Sequence, residues 1–186
     1  MRSMHLDRFV LTMPLTRPLG FTLIELLVTL SVLVILLAVA IPGLQPLARN
    51  NRLTALTNDL ISTLNVARSE AVKRGVRVTV CKSANSDAAA PVCNTGADWH
   101  DGWLVFVDNS GTIGIFDGTD VRLKVGQPAS RNATITADTA FANFVSYVAS
   151  GASSASANMV VCLDGVSRTI SINTTGRIQT TPGSCA

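Results

Sequence analysis

An uninterrupted apolar stretch near the amino terminus constrains this chain more than any other feature. Between Phe21 and Ile41 the only charged residue is Glu25, and no charge occurs from Leu26 to Ala48. A helix of about 20 apolar residues, each rising about 1.5 Å, spans the hydrocarbon core of a bilayer. The stretch therefore predicts a membrane helix. A lone carboxylate at its entrance is costly in lipid, which indicates a function.

Two simpler interpretations of this stretch compete with a specialised one. A secretory signal peptide needs a basic start, a short apolar core and a small-residue cleavage site, which Arg17 and the Ala-Val-Ala of residues 38–40 would supply. Its core would, however, contain Glu25 and exceed the usual length of about 7–15 residues. A plain single-pass anchor accounts for the hydropathy but not for the arrangement of Gly20, Phe21 and Glu25.

The sequence Gly-Phe-Thr-Leu-Ile-Glu at residues 20–25 resembles the processing site of type IV pilins and type II secretion pseudopilins. In that superfamily a prepilin peptidase cuts after the glycine and methylates the new amino terminus. The resemblance implies cleavage after Gly20, N-methylation of Phe21 and a role for Glu25 in assembly. The carboxylate of Glu25 would pair with the amino group of Phe21 on a neighbouring subunit, since an unpaired charge among packed apolar helices is costly.

Motifs further along the chain resemble one branch of this superfamily, the GspH/FimT group. They are Arg68-Ser69-Glu70-Ala71 and Arg74-Gly75 with the strand that follows, the Gly-Trp strand of residues 102–108, Cys162, residues 168–172 and Gly176-Arg177. The resemblance spans residues 20–185. It implies a minor pilin that takes part in type IV pilus assembly, in a priming or tip complex. The alternatives are a DNA-binding minor pilin of natural transformation and a GspH-like minor pseudopilin of type II secretion.

The resemblance also implies partners and a compartment. Other major and minor pilins would pack against residues 21–74, and the prepilin peptidase would process the chain. The inner membrane of a Gram-negative cell would hold it by a single pass, with the globular domain in the periplasm. DNA-binding members carry Gly-Arg-x-Arg in the last hairpin, and here Gln179 replaces the second arginine. Arg168, Arg177 and Lys82 are then the candidate contacts for weak, non-specific binding to the phosphates of double-stranded DNA.

The resemblance implies a leader that ends at Gly20, and the composition of the rest divides it into a membrane segment and one globular domain. Residues 1–20 form the leader, residues 21–42 the membrane and filament-core helix, and residues 43–186 a periplasmic domain large enough for a core. Pro42 kinks the helix or ends its membrane half. An apolar stripe at spacings of three and four then predicts an amphipathic helix to about residue 74. The stripe consists of Leu53, Leu56, Leu60, Leu64, Ala67 and Ala71.

From Val76 the period changes to two, since Val76, Val78 and Val80 alternate with Arg77 and Thr79, which is typical of a half-buried strand. The predicted strands are residues 76–80, 103–107, 112–116, 121–125, 134–136, 144–148, 159–163, 167–172 and 177–180, with hairpin turns at 109–111 and 117–118. The predicted fold class is α+β, a long amino-terminal helix packed on antiparallel β-sheet. The resemblance implies the same fold, that of a type IV pilin.

The four cysteines all follow the membrane segment and contain no C-x-x-C pair, which in a periplasmic domain indicates disulfides. Three pairings are open. Cys81 with Cys93 and Cys162 with Cys185 close the shortest loops, and each bridge would stabilise the fold by about 3 kcal/mol.

Composition and motifs give no support for an enzyme. Loss of the leader, with its three arginines and Asp7, reduces 15 basic and 12 acidic residues to 12 and 11, so the net charge does not favour nucleic acid. No nucleophile elbow, phosphate-binding loop or twelve-residue calcium loop is present. His100 is predicted to be an ordinary loop histidine, and Trp99 and Trp103 are predicted to pack rather than stack on bases. The sequence predicts no catalytic residue, no metal site and no cofactor.

Overall fold

The computed structural model of the protein describes residues 20–109, 111–130 and 132–185. In this part of the chain one long helix precedes eight strands. The helix is α1 (Leu23–Arg74), and the strands are β1 (Val78–Lys82), β2 (Trp103–Val107), β3 (Val121–Gly126), β4 (Ala133–Ala137), β5 (Phe144–Tyr147), β6 (Ala157–Leu163), β7 (Val166–Ile172) and β8 (Ile178–Ser184). Short 3-10 helices occur at Trp99–Asp101 and Thr139–Phe141.

The chain separates into two compact units, the first ending at Gly43 and the second being Leu44–Ala186. In the first unit, the large apolar side chains from Leu23 to Leu37 are between 47% and 82% exposed. Among the described helices, none alone has the length and hydropathy of a membrane span. The parts Leu23–Ala38 and Gly43–Arg74 meet that test only when taken together across the break between them.

In the second unit, α1 presents one apolar stripe to the core. Leu60, Leu64, Ala67 and Ala71 are fully buried, as their spacing of three and four predicts for one helix face. The helix ends at Gly75, whose positive φ of 68° suits a glycine after a helix and whose N–H donates to Ala71 O at 2.9 Å. The predicted helix end near residue 74 is confirmed.

The strands form two antiparallel sheets of four strands each. The first sheet has the order β3-β2-β1-β5 and the second the order β4-β6-β7-β8. One apolar core is shared by α1 and both sheets, with Val80 and Trp103 from the first sheet and Met159 and Ile170 from the second. The predicted α+β class, a long amino-terminal helix packed on antiparallel sheet, is confirmed.

The prediction that β1 is only half buried is wrong. Its inner residues Val78 and Val80 enter the main core, but Thr79 and Cys81 on the outer face are also buried. A second small core covers that outer face, built on Cys81, Leu104 and Phe106. Burial on both faces arises because the long connections before β2 and before β3 fold over the first sheet, which alternation within β1 does not reveal.

The strand predicted at residues 112–116 does not exist. This segment belongs to the connection between β2 and β3, which the structure describes at residues 108–109 and 111–120. The turn predicted at 117–118 does not close a short hairpin, and the turn predicted at 109–111 includes a residue outside the described part of the chain. Gly111 and Gly114 have φ of 70° and 89°, which no regular strand contains. The Asp108 carboxylate accepts from Gly114 N at 3.1 Å, and Asp117 accepts from Thr112 N at 3.1 Å. The carboxylates thus accept hydrogen bonds that the backbone carbonyls of a neighbouring strand would accept in a sheet.

The remaining predicted strands exist; the strand predicted at 103–107 has the predicted bounds, and the others are shifted by a few residues. The largest shift concerns the last one, predicted as 177–180 and observed as Ile178–Ser184. This strand lies at the edge of the second sheet and pairs with β7 alone. Pro182 is tolerated there because an edge strand needs hydrogen-bond donors on one side only.

Candidate functional site

The first turn of α1 is built by Thr22, Leu23, Ile24 and Glu25. The Thr22 hydroxyl accepts a hydrogen bond from Glu25 N at 3.3 Å, so Thr22 caps the helix. Glu25 lies in the first turn, where the positive end of the helix dipole favours a carboxylate. The cap was not among the predictions made from the sequence, although the spacing Thr-x-x-Glu is a known pattern of helix starts.

The Glu25 carboxylate has no hydrogen bond or ion pair among the residues that the structure describes. Two neighbouring polar groups satisfy themselves within the helix, since Thr29 Oγ1 donates to Leu26 O at 2.9 Å and Ser31 Oγ donates to Val28 O at 2.8 Å. Glu25 is therefore the group in this apolar segment whose charge has to find a partner outside the described chain.

Gly20 and Phe21 precede the helix and are exposed. The ring-bearing side chain of Phe21 is 80% exposed. A Cβ added at Gly20 would meet no atom within 4 Å, so packing within the described chain does not explain a glycine at this position. Any requirement for a small residue at position 20 therefore comes from contact with another molecule.

Two disulfides join the cysteine pairs that close the shortest loops. Cys81 pairs with Cys93 across a Cα–Cα distance of 5.6 Å, and Cys162 pairs with Cys185 across 6.1 Å. The first bridge fastens the connection before β2 to β1. The second joins the chain just after β8 to β6, two strands away in the sheet.

The three candidate DNA contacts do not form one surface. Lys82 lies at the end of β1 in the first sheet. In β7, Arg168 has the same parity as the core residues Ile170 and Ile172, so it points to the core-facing side of the second sheet. Arg177 lines a polar pocket with Gln179 on the opposite side of that sheet. A continuous track of these three cations along a duplex is therefore not formed.

The polar pocket beside Arg177 also contains an acidic residue, Asp138. Its Oδ2 accepts from Asn158 N at 2.8 Å and from Asn158 Nδ2 at 3.0 Å. The backbone N–H of Arg177 donates to Asn173 Oδ1 at 2.9 Å. The Arg177 guanidinium is exposed and has no ion pair within the described part of the chain.

The residues considered for other chemistry have packing roles. Trp99 and Trp103 are 3% and 0% exposed, and their indole N–H groups donate to Phe141 O and Thr63 Oγ1, so the prediction of packing rather than base stacking is confirmed. His100 lies in a 3-10 helix, 3.8 Å from Asp98. Within residues 20–109, 111–130 and 132–185, no group of three or more His, Cys, Asp or Glu side chains is placed to hold a metal ion.

Arg68 joins α1 to two connections between strands, a role that the sequence did not reveal. Its Nε donates to Gly151 O at 2.9 Å, in the connection before β6, and a terminal nitrogen donates to Thr175 O at 3.0 Å, before β8. Burial raises the pKa of the nearby Tyr147 hydroxyl, and the positive charge of Arg68 opposes part of that rise. The one available signal was a long cation within a face of small and apolar residues.

Comparisons with known proteins identify the class. The family model described as type II transport protein GspH matches residues 56–176, and the model of the prokaryotic N-terminal methylation motif matches residues 16–41. The first match covers most of the chain, so the chain belongs to the GspH family. No curated protein sequence matches it.

Two solved structures share the fold. Both are crystal structures of the type IV minor pilin FimU of Pseudomonas aeruginosa strain PAO1. In space group P21 its TM-score is 0.57 at 22% identity, covering 75% of this chain and 97% of that one. In space group P65 the TM-score is 0.53 at 22% identity, covering 72% and 97%.

Family and motif together define the class of function. The chain is a pilin or pseudopilin, and its methylation motif implies processing by prepilin peptidase. It is a membrane-anchored, periplasmic component of a type IV pilus or of a type II secretion system, and it assembles with other pilins. The family is one of structural subunits.

Proposed function

We propose that the chain is a minor pilin that takes part in type IV pilus assembly, in a priming or tip complex. It is cleaved after Gly20 and methylated on the amino group of Phe21. Residues 1–20 are then the leader, residues 21–42 the helix of the inner membrane and the filament core, and residues 43–186 the periplasmic domain of a Gram-negative cell.

One observation carries this proposal: an exposed apolar helix contains a single charge, Glu25, without a partner in the described chain. Such a helix is stable in lipid or among similar helices, where association depends on packing and polar contacts. In a filament the Glu25 carboxylate pairs with the amino group of Phe21 of a neighbouring subunit and sets the axial stagger. The likeness in fold to a type IV minor pilin supports the choice of a pilus.

Deletion of the gene in a piliated host tests the assignment to a pilus. Filament number should fall strongly while type II secretion continues, and the full chain supplied in trans should restore the filaments. Loss of secretion with normal filaments would instead support the GspH-like pseudopilin, the alternative that the family description suggests.

DNA capture is a second candidate, and the exposed, unpaired guanidinium of Arg177 favours it. Two to four such contacts would predict weak, non-specific binding to duplex DNA, in the range of about 10⁻⁴–10⁻⁶ M, and a single contact predicts the weak end of that range. Gln179→Arg should then strengthen binding and steepen the salt dependence by about one unit, and Arg177→Ala should weaken binding. Titration of the detergent-solubilised protein at two salt concentrations decides this, and equal binding by wild type and Arg177→Ala would remove DNA as a partner.

A further inference from the structure

A small apolar pocket lies on the outer side of the first sheet. We call it the loop pocket, defined by Lys82, Cys93, Ile113, Ile115 and Phe144, with Gly114 and three polar residues completing the wall. Its volume is about 160 Å³. An apolar cavity of about 150 Å³ accommodates a benzene-sized group, so the loop pocket has room for one apolar side chain.

The wall of the loop pocket is held in place by specific contacts. The buried Asp108 carboxylate accepts from Gly114 N, and Phe116 N donates to the Cys93 sulfur at 3.3 Å. The Phe116 ring packs edge-on against Phe106 at 5.4 Å. Gly114 lies so close to Phe144 that a Cβ would overlap its ring. The segment that carries the two isoleucines is therefore preformed rather than loosely exposed.

Exposed apolar side chains concentrate at this pocket. Beyond residue 50, the large apolar side chains that are more than 40% exposed in the described chain are Val72, Val92, Ile113, Ile115 and Val121. Two of them line the loop pocket and a third, Val92, precedes its Cys93. Apolar groups that are both exposed and clustered mark an interaction surface, because scattered exposure needs no explanation but clustering does.

The charge of the loop pocket indicates what it accepts. Lys82 is the only charged residue in its wall, and it has no ion pair within the described part of the chain. A complementary partner presents an apolar side chain next to a carboxylate, since charge complementarity fixes the register of an interface.

Among the exposed large apolar residues of the described globular part, a second copy of this chain offers one that adjoins a carboxylate in sequence, Val121. Val72 is followed by Lys73, and Val92, Ile113 and Ile115 have no acidic neighbour in sequence. Val121 follows Asp120, but that carboxylate accepts from Asn109 N at 2.8 Å and from Asp117 N at 3.2 Å. None of these exposed apolar residues adjoins a carboxylate that is free of hydrogen bonds within the chain, which favours a different protein as the partner.

We propose that the loop pocket docks an apolar side chain flanked by a carboxylate, from the globular domain of a different pilin subunit. This inference rests on the proposed function, because a filament subunit has other pilins as its neighbours. The contact selects which subunit lies beside this one, whereas the apolar helix provides a general means of assembly.

Site-specific photo-crosslinking in the piliated host tests the inference on the full chain. A photoactivatable phenylalanine analogue replaces Ile113, and in a control it replaces Thr180 on the exposed edge strand. The Ile113 position should crosslink to a second pilin, at a peptide where an apolar residue adjoins Asp or Glu. Crosslinking of the chain to its own copies or to lipid, or equal crosslinking from Thr180, would overturn the proposal.

Charge and disulfide variants sharpen this test. Lys82→Glu should reduce the crosslink about tenfold or more through like-charge repulsion. Arg177→Glu, which inverts another exposed unpaired cation, should leave it unchanged. Replacing Cys81 and Cys93 by serine should abolish the crosslink, while the same change at Cys162 and Cys185 should leave it, provided the protein level is normal. An unchanged crosslink in Lys82→Glu would contradict the proposal.

Blots of sheared filaments from the same cells distinguish failure of the loop-pocket proposal from failure of the proposed function. A chain that is present in filaments but gives no crosslink refutes the loop pocket alone. A chain that is absent from filaments refutes the proposed function, and the loop pocket with it.

Discussion

The two parts of α1 differ in where their apolar side chains find a partner. Leu33 in the first part is 50% exposed, whereas Leu60 in the second part is fully buried against the sheets. Both are leucines within one stretch of helix, so propensity does not distinguish them. The second part completes its burial within the chain, while the first part needs lipid or other subunits, and this difference separates the folding of the protein from its assembly.

The largest expected effect comes from Gly20→Val, which acts just before the first part of α1. A β-branched side chain should block the peptidase and leave nearly all of the protein as uncut precursor in the membrane. The mass of the membrane-bound chain measures this. Gly43→Ala is the matched control, because a Cβ at Gly43 also meets no atom within 4 Å, and its processing should be normal. Normal processing of Gly20→Val would contradict cleavage at this site.

The next effect concerns Glu25→Ala, which should leave processing and membrane insertion intact. Incorporation into filaments should fall at least about tenfold, because removing one partner of a buried charge pair costs about 3–5 kcal/mol. Quantitative blots of sheared filaments measure it. Thr22→Ala is the control that removes the helix cap but keeps the carboxylate, and it should assemble far better. Equal loss in both variants would attribute the defect to the helix start instead of the charge.

A pair of leucine substitutions tests the comparison directly. Leu60→Ala should lower the free energy of unfolding of the globular domain by about 2–5 kcal/mol, since it opens a cavity in the core. Leu33→Ala should change it by less than about 0.5 kcal/mol, as is usual for exposed sites. Denaturant unfolding of the detergent-solubilised chain, followed by tryptophan fluorescence of the two buried indoles, gives both values. Similar losses would show that the first part also packs on the domain.

The smallest effect is a pH dependence at the end of the second part of α1. Arg74 Nε donates to Glu70 Oε2 at 2.6 Å and Lys73 lies 3.5 Å from Oε1, and these contacts lower the pKa of Glu70 from its ordinary 4.5. A lowered pKa gives stability that is present above 4.5 and is lost as the pH falls through the folded value. The free energy of unfolding of the wild type should therefore slightly exceed that of Glu70→Gln at pH 7, and the difference should shrink progressively as the pH falls below 4.5. A difference independent of pH would exclude the carboxylate as its source.

Periodicity predicted the elements whose own residue pattern determines which side chains are buried. The apolar stripe with Leu60 and Leu64 predicted the second part of α1. A run of five apolar residues predicted β2, and partial alternation predicted β7. It failed at residues 112–116, where Asp108 and Gly114 form contacts that only the fold brings together. The outer burial of Thr79 was unpredictable for the same reason, since its covering loops are distant in sequence.

For the candidate site, the sequence indicated which residues carry charge or form disulfides, but not how these residues are arranged in space. Glu25 was recognisable as a lone charge in an apolar segment, and the cysteine spacing favoured the observed disulfides. Arg168 and Arg177 lie on opposite sides of the second sheet. The side on which Arg168 lies follows from which residues of β7 face the core, so it could not be assigned before β7 was placed against α1.

Cleavage after Gly20 and entry into a filament by the apolar helix leave one common trace, the amino terminus of the chain in filaments. Mass spectrometry of the amino-terminal peptide from purified filaments tests both statements at once. We expect a peptide that begins with N-methylated Phe21. A chain that begins near Ile41, as a secretory signal peptide would produce, or one that is found in membranes but never in filaments, would contradict it.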